Sequence, residues 1–127
     1  MTRVATENPF ALHEGAAETW AFIEQRVLDG GLVESGLKDV CFRYVADPDS
    51  VVVEEHDGRE RAALDWAHAI VWDADASTDE LWTRLHEHFG EQELVELGCA
   101  IGFELGRRHF LRTLGADPAH VRASQLG

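Results

Sequence analysis

Thiols are scarce in this chain: Cys41 and Cys99 are its only cysteines, far apart and each set among apolar neighbours. Two isolated thiols do not make a disulfide framework, so a hydrophobic core must hold the fold, and a reduced compartment is expected. Basic residues are scarce as well. Eleven Lys and Arg stand against 24 Asp and Glu, a formal net charge of −13, which repels phosphate backbones and anionic membrane surfaces. Nucleic acid is therefore not an expected partner. Long apolar runs are missing too, since no window reaches the roughly 18 continuous apolar residues that a spanning helix needs. The stretch from Met1 to Gly15 contains no run of signal-peptide type. The expectation is a cytoplasmic protein that does not engage membranes. No internal repeat, low-complexity tract or long linker interrupts the 127 residues, a length that suits one domain with a real core.

What is present is helical patterning. Residues 1–15 read as a loose arm, 16–117 as one helical domain and 118–127 as a tail. A first helix is expected from Ala16 to about Asp29, with Trp20, Ile23, Val27 and Leu28 as its apolar residues and Gly30 and Gly31 as its stop. Ser35 is placed to cap a second helix, whose Leu37, Val40, Cys41, Tyr44 and Val45 follow the core-facing i, i+3, i+4 spacing until Pro48 breaks it. Val51, Val52 and Val53 have strand propensity but no visible partner strand, so this segment reads as an ordered connection. A third helix should run from Asp57, with Glu60 three residues on, to about Ala74. It is apolar on most faces, the mark of a helix that is central or covered by another subunit.

Two further helices are expected between Leu81 and Gly115, joined at Gly90. The first of these has a capping-box start in Ser77 and Glu80 and a face of Leu81, Trp82, Leu85, His88 and Phe89. The second carries Leu94, Leu97, Ile101 and Leu105 along one strip and Gly98, Gly102 and Gly106 along the next. Each interior glycine costs about 1 kcal/mol relative to alanine, so the stripe predicts close approach of another backbone. The fold class is all-α, a helical bundle of about five main helices.

These segments resemble the carboxymuconolactone decarboxylase family, the all-helical group that includes alkylhydroperoxidase D-like proteins. The resemblance is carried by Gly58-Arg-Glu-Arg-Ala-Ala-Leu, by His88-Phe89-Gly90-Glu91, by Glu93-Leu94-Val95-Glu96-Leu97 and by the Leu114-Gly115 stop. It spans roughly Leu37 to Gly115 and rests on structural motifs. It implies an alkylhydroperoxidase D-like bundle that assembles as a homo-oligomer, a trimer or hexamer. Peroxidase members use a CxxC pair with a histidine one turn on and an upstream acid. Here VVVE at Val51 to Glu54 stands where the pair would fall, and Asp39 and His56 near the relay positions have no thiol to serve. Thiol peroxidase chemistry by that route is not expected.

Histidine offers the alternative chemistry. His68 lies inside the most apolar helix with Trp72 at i+4 and Asp65 at i−3, where a carboxylate could orient the imidazole and make it a general base. The plainer reading is a core histidine satisfied by hydrogen bonds. His88 shares the inward face of Leu81, Leu85 and Phe89, with C-terminal capping of its helix as its plainer reading. Arg43 and Tyr44 are candidates to orient an anionic substrate, with Trp66 and Trp72 lining its pocket, although an aromatic at core spacing is more often core. Cys41 and Cys99 read as buried, inert thiols, and Glu104 as the partner of Arg108. His86 and His88 point to different sides of one helix and no HExxH spacing occurs, so no metal and no cofactor is expected. The expected function is proton transfer or decarboxylation on a small carbonyl or carboxylate compound. The alternative is a catalytically silent oligomeric protein of the same fold that binds a small molecule or serves a structural role.

Overall fold

The computed structural model describes Arg3, Val4 and residues 6–126, Leu126 by its backbone only. Met1, Thr2 and Ala5 of the expected arm and Gly127 of the expected tail lie outside the described residues. Among the described residues five α-helices follow in chain order: α1 (Glu14–Ile23), α2 (Ser35–Ala46), α3 (Gly58–Trp72), α4 (Asp79–His88) and α5 (Glu91–Thr113). No described residue lies in a strand. The all-α class expected from periodicity is therefore what the chain adopts. Val51 to Val53 connects two short 3-10 turns, Pro48–Ser50 and Val53–Glu55, with Val51 buried.

Side chains serve orphan amides at the starts of α1, α3, α4 and α5, whereas α2 starts without a side-chain cap: Ser35, expected as its cap, is instead its first helical residue, and Glu34 holds the cap position. Asp57 accepts from the Glu60 amide at the head of α3, as its spacing predicted. At α4 the cap is Thr78, which accepts from the Leu81 amide, rather than Ser77. Ser77 instead accepts a hydrogen bond from the Trp82 indole at 2.9 Å. The cap falls on Thr78 because the helix begins at Asp79, one residue later than a Ser77 cap requires. Gly90 starts α5 by donating its amide to Glu93 Oε1. The α1 path continues beyond Ile23 as a π-helical turn, Glu24–Leu28.

The main core lies between α2, α3, α4 and α5, where Leu37, Cys41, Leu64, Leu85, Leu97 and Ile101 are all at most 4% exposed. A second, smaller core joins α1 and the end of α5 to the chain termini. There Phe10, Leu111, Ala116, Val121 and Ala123 pack with Trp20, so residues from both the expected arm and the expected tail are built into the body.

Buried charges hold the connections. Glu24, fully buried, accepts from the amides of Ala123 and Ser124. Arg107 pairs with Glu104 at 2.6 Å and donates to the carbonyls of Pro118 and Val121, which corrects the expected Glu104 to Arg108 pairing. Arg107 wins because its position points it under the C-terminal segment, whose carbonyls need donors. Lys38 is fully buried on α2, donating to the carbonyls of Val27 and Gly30 and lying 3.5 Å from Glu96. Glu96 in turn accepts from the amides of Leu32 and Val33. Together these groups satisfy the turn that leads from α1 to α2.

Gly31 sits in that turn at φ 105°, and a Cβ there would fall 1.5 Å from Glu96 Oε1. Gly31→Ala is expected to cost at least about 2 kcal/mol, from backbone strain and displacement of the carboxylate. Urea unfolding measures this, and a loss below about 0.5 kcal/mol would show that the turn relaxes freely.

The glycine stripe of α5 behaves differently from expectation. At Gly98 a Cβ would meet the Trp66 ring at 2.9 Å, so the close approach there is an indole rather than a backbone. At Gly102 and Gly106 nothing among the described residues, the helix's own adjoining backbone aside, lies within 4 Å of such an atom. α3 buries Ala62, Ala63, Leu64, Ala67 and Ala69 but leaves Ile70 and Trp72 open. No helix among the described residues is long and apolar enough to cross a membrane.

Candidate functional site

α3 and α4 form a hairpin, and at its closed end the last turns of α3 face the first turns of α4. α2 passes alongside and contributes one aromatic side chain. The result is a cleft of about 430 Å³ lined by Tyr44, Asp65, His68, Thr78, Glu80 and Arg84, with Leu81 at its floor. Of the residues expected to form a site, Tyr44, Asp65 and His68 meet here.

The contact that orders the cleft is between Tyr44 Oη and His68 Nδ1, at 2.9 Å. Trp72 braces both rings, edge-on to Tyr44 with centroids 5.6 Å apart and tilted against His68 at 5.3 Å. Burial, and secondarily the Asp65 carboxylate, pushes the Tyr44 phenol above its ordinary pKa. It therefore remains protonated at neutral pH and can either donate to Nδ1 or accept from it. Because Nδ1 is engaged, Nε2 is the ring nitrogen available to a ligand.

Two expectations about His68 are corrected. The ring is exposed rather than buried, because α3 turns this side outward toward the cleft. Asp65 does not orient it: the Asp65 carboxylate instead holds Arg84 of α4 at 2.9 Å. Arg84 was missed in the sequence. Four residues after Glu80, it reads there as an ordinary surface helix pair, and only the hairpin brings it opposite Asp65. Arg84, paired with Asp65, thereby lines the same cleft as His68.

The remaining candidates lie elsewhere. Arg43 and Tyr44 are consecutive on α2 and so point about 100° apart. Arg43 lines a different cleft of about 640 Å³, against α5 and the C-terminal segment. Trp66 faces away from Trp72, packing edge-on against Trp82 at 5.4 Å in an apolar groove of about 510 Å³ that also carries Leu94, Gly98 and Cys99. His88 ends α4 at the other end of the hairpin, its half-buried ring over Gly58. Its carbonyl accepts from Arg59, which lies over the Phe89 ring and pairs with Glu34 and Glu93. His88 thus stands in a structural joint away from the Tyr44 and His68 pair. Among the described residues no group of three His, Cys, Asp or Glu side chains is arranged to hold a metal ion.

The thiols divide. Cys41 is buried, and desolvation, with the Glu60 charge adding to it, pushes its pKa up to about 12. Cys99 is exposed at the apolar groove, against the expectation that it is buried, because its side of α5 is covered by no other element. A thiol reagent applied to the folded protein is expected to modify Cys99 and to reach Cys41 only after denaturation. Mass spectrometry of the two digests decides it, and early labelling of Cys41 would contradict the burial.

Comparison of the chain with known protein families, with curated proteins and with solved structures finds no match.

Proposed function

We propose that this chain is a small acid/base enzyme of the carboxymuconolactone decarboxylase type, acting on a small carbonyl or carboxylate compound in the cleft between α2, α3 and α4. The observation that carries this reading is the Tyr44 to His68 hydrogen bond at the mouth of a cleft that also holds an arginine. His68 Nε2 takes the proton from the carbon next to the substrate carbonyl, and the C–H electron pair moves onto the carbonyl oxygen as an enolate. Arg84, fixed by Asp65, stabilises that developing charge or anchors the substrate carboxylate. Tyr44 keeps the imidazole turned to the cleft throughout by holding Nδ1. The proton returns from Nε2 to the enolate carbon. In a decarboxylation His68 starts as the imidazolium: the C–C bond breaks, its electron pair moves onto the carbonyl oxygen as carbon dioxide leaves, Nε2 gives its proton to the enolate carbon, and solvent returns a proton to the ring.

The test is proton NMR in D2O with a panel of small 2-oxo acids, 3-oxo acids and unsaturated lactone acids. Deuterium incorporation or loss of carbon dioxide above the buffer rate, abolished in His68→Ala, supports the reading. No turnover on the panel together with no ligand-induced shift at Tyr44, His68 or Arg84 overturns it.

A second reading has its own observation. The apolar groove beside Cys99 and the open Gly102 and Gly106 positions of α5 support an oligomeric small-molecule-binding or structural protein, a trimer or hexamer, that does no chemistry. Native mass spectrometry separates the two. Oligomers carrying an organic adduct, with an inert His68, favour this second reading.

A further inference from the structure

The cleft of about 640 Å³ that Arg43 lines lies on a different side of α2 from the His68 cleft, and its lining contradicts the charge of the whole. In a chain of net charge −13 with only eleven basic residues, four arginines converge on this one cavity: Arg43 from α2, Arg107 and Arg108 from α5, and Arg122 from the C-terminal segment. Asp39 and Glu104 are the acids that share the lining, and Asp29 behind it pairs with Arg122, so the cleft keeps an excess of one positive charge. Phe42, Ala46, Pro118 and Ala119 give it an apolar wall.

The four guanidinium groups are not equivalent. Arg107 is fully committed, to Glu104 and to the carbonyls of Pro118 and Val121. Arg122 grips both oxygens of Asp29, at 3.0 and 2.8 Å. Arg43 and Arg108 have no hydrogen-bond or ion-pair partner among the described residues, not even Asp39 one turn before Arg43. Two committed arginines therefore fix the walls, and two uncommitted ones supply donors to the space between. A planar guanidinium pair matches the oxygens of a carboxylate or phosphate, which water alone serves less well beside an apolar wall.

We propose that this cleft is an anion site for a small organic molecule that carries one carboxylate or phosphate monoester on an apolar body. The oxyanion lies between Arg43 and Arg108, and the body lies against Phe42 and the Pro118 and Ala119 turn. Asp39, which shares the lining, disfavours a second anionic group on the body of the ligand and so selects molecules with a single anionic head. The site is independent of the proton-transfer reading, because no residue of the His68 cleft lines it.

The test is amide NMR of the full-length protein titrated separately with benzoate, phenyl phosphate, acetate and inorganic phosphate. Saturable shifts are expected at Gly36, Arg43, Arg108 and Ala119 with the aromatic anions. The acetate and phosphate arms should bind about tenfold more weakly, for want of the apolar contact. Preference for benzoate or for phenyl phosphate tells which head group the cleft takes. Arg43→Gln and Arg108→Gln should each weaken binding by about tenfold or more, as loss of a charge-assisted hydrogen bond does. His68→Ala should leave it unchanged. Absence of saturation with all four probes, or shifts that survive in the double arginine variant, would overturn the proposal. Both arginines lack partners, so the variants are expected to fold. Should the double variant unfold, the wild-type shift map decides: shifts centred on Arg84 instead of Arg43 and Arg108 refute the site.

Discussion

Replacing His68 with alanine is expected to lower kcat/KM for proton exchange or decarboxylation by about 10²- to 10⁴-fold, the range that a positioned general base contributes. The loss should fall on kcat with KM nearly unchanged, because an imidazole that accepts a proton acts in the transition state more than in the bound ground state. Stability should move by no more than about 1 kcal/mol, since the ring is exposed and surface substitutions are mild. Tyr44→Phe is the finer probe. It preserves the ring edge against Trp72 and removes only the contact to Nδ1, so a loss of about tenfold is expected from one hydrogen bond that orients the base. Retention of full activity in His68→Ala would remove the base from the mechanism, whatever Tyr44→Phe did. Equal losses of kcat and of folded protein would reduce the histidine to a structural part.

Periodicity made the helices legible because burial and spacing are the same fact in an amphipathic helix. Leu37, Cys41, Leu64, Leu85 and Leu97 are all in the main core, on the faces that their spacing indicated. Helix starts were less legible where two residues competed, as Ser77 and Thr78 did. The site was half legible. Tyr44, Asp65 and His68 converge, yet their contacts are made with residues that sequence distance hides. Asp65 finds Arg84 on the next helix rather than His68 on its own, because an arginine reaching across a hairpin meets a carboxylate more readily than a short imidazole one turn away does. The apolarity of α3 suggested a buried imidazole, and the covering element that this required is absent from the outer side of the helix. Buried charge was the least legible feature. Nothing in the sequence marks Lys38, Glu24 and Arg107 as buried, since such groups are almost never fully buried unless paired. Their partners are mostly backbone carbonyls and amides of turns, which carry no side-chain signature at all.

That hidden layer yields the largest stability effect. Lys38→Met is expected to destabilise the fold by about 3–5 kcal/mol, the cost of removing one partner from a buried charged cluster, and so to lower Tm by about 10–20 °C in a domain of this size. Methionine keeps most of the volume of the stem, so the effect isolates the ammonium rather than a cavity. Without it the carbonyls of Val27 and Gly30 lose their donor, and Glu96 is left beside the core with its counter-charge gone. Adding Glu96→Gln should recover about 1–3 kcal/mol of that loss, because the uncompensated carboxylate is then absent while the amide oxygen still accepts from Leu32 and Val33. Glu96→Gln alone in the presence of Lys38 should destabilise, by leaving the ammonium without its counter-charge. A cycle in which the two substitutions simply add would mean that Lys38 acts only through the carbonyls of the turn. A Lys38→Met protein within about 1 kcal/mol of the parent would mean that water enters the turn and replaces the ammonium as donor. In either case the joint between α1 and α2 would be looser than its hydrogen bonds indicate.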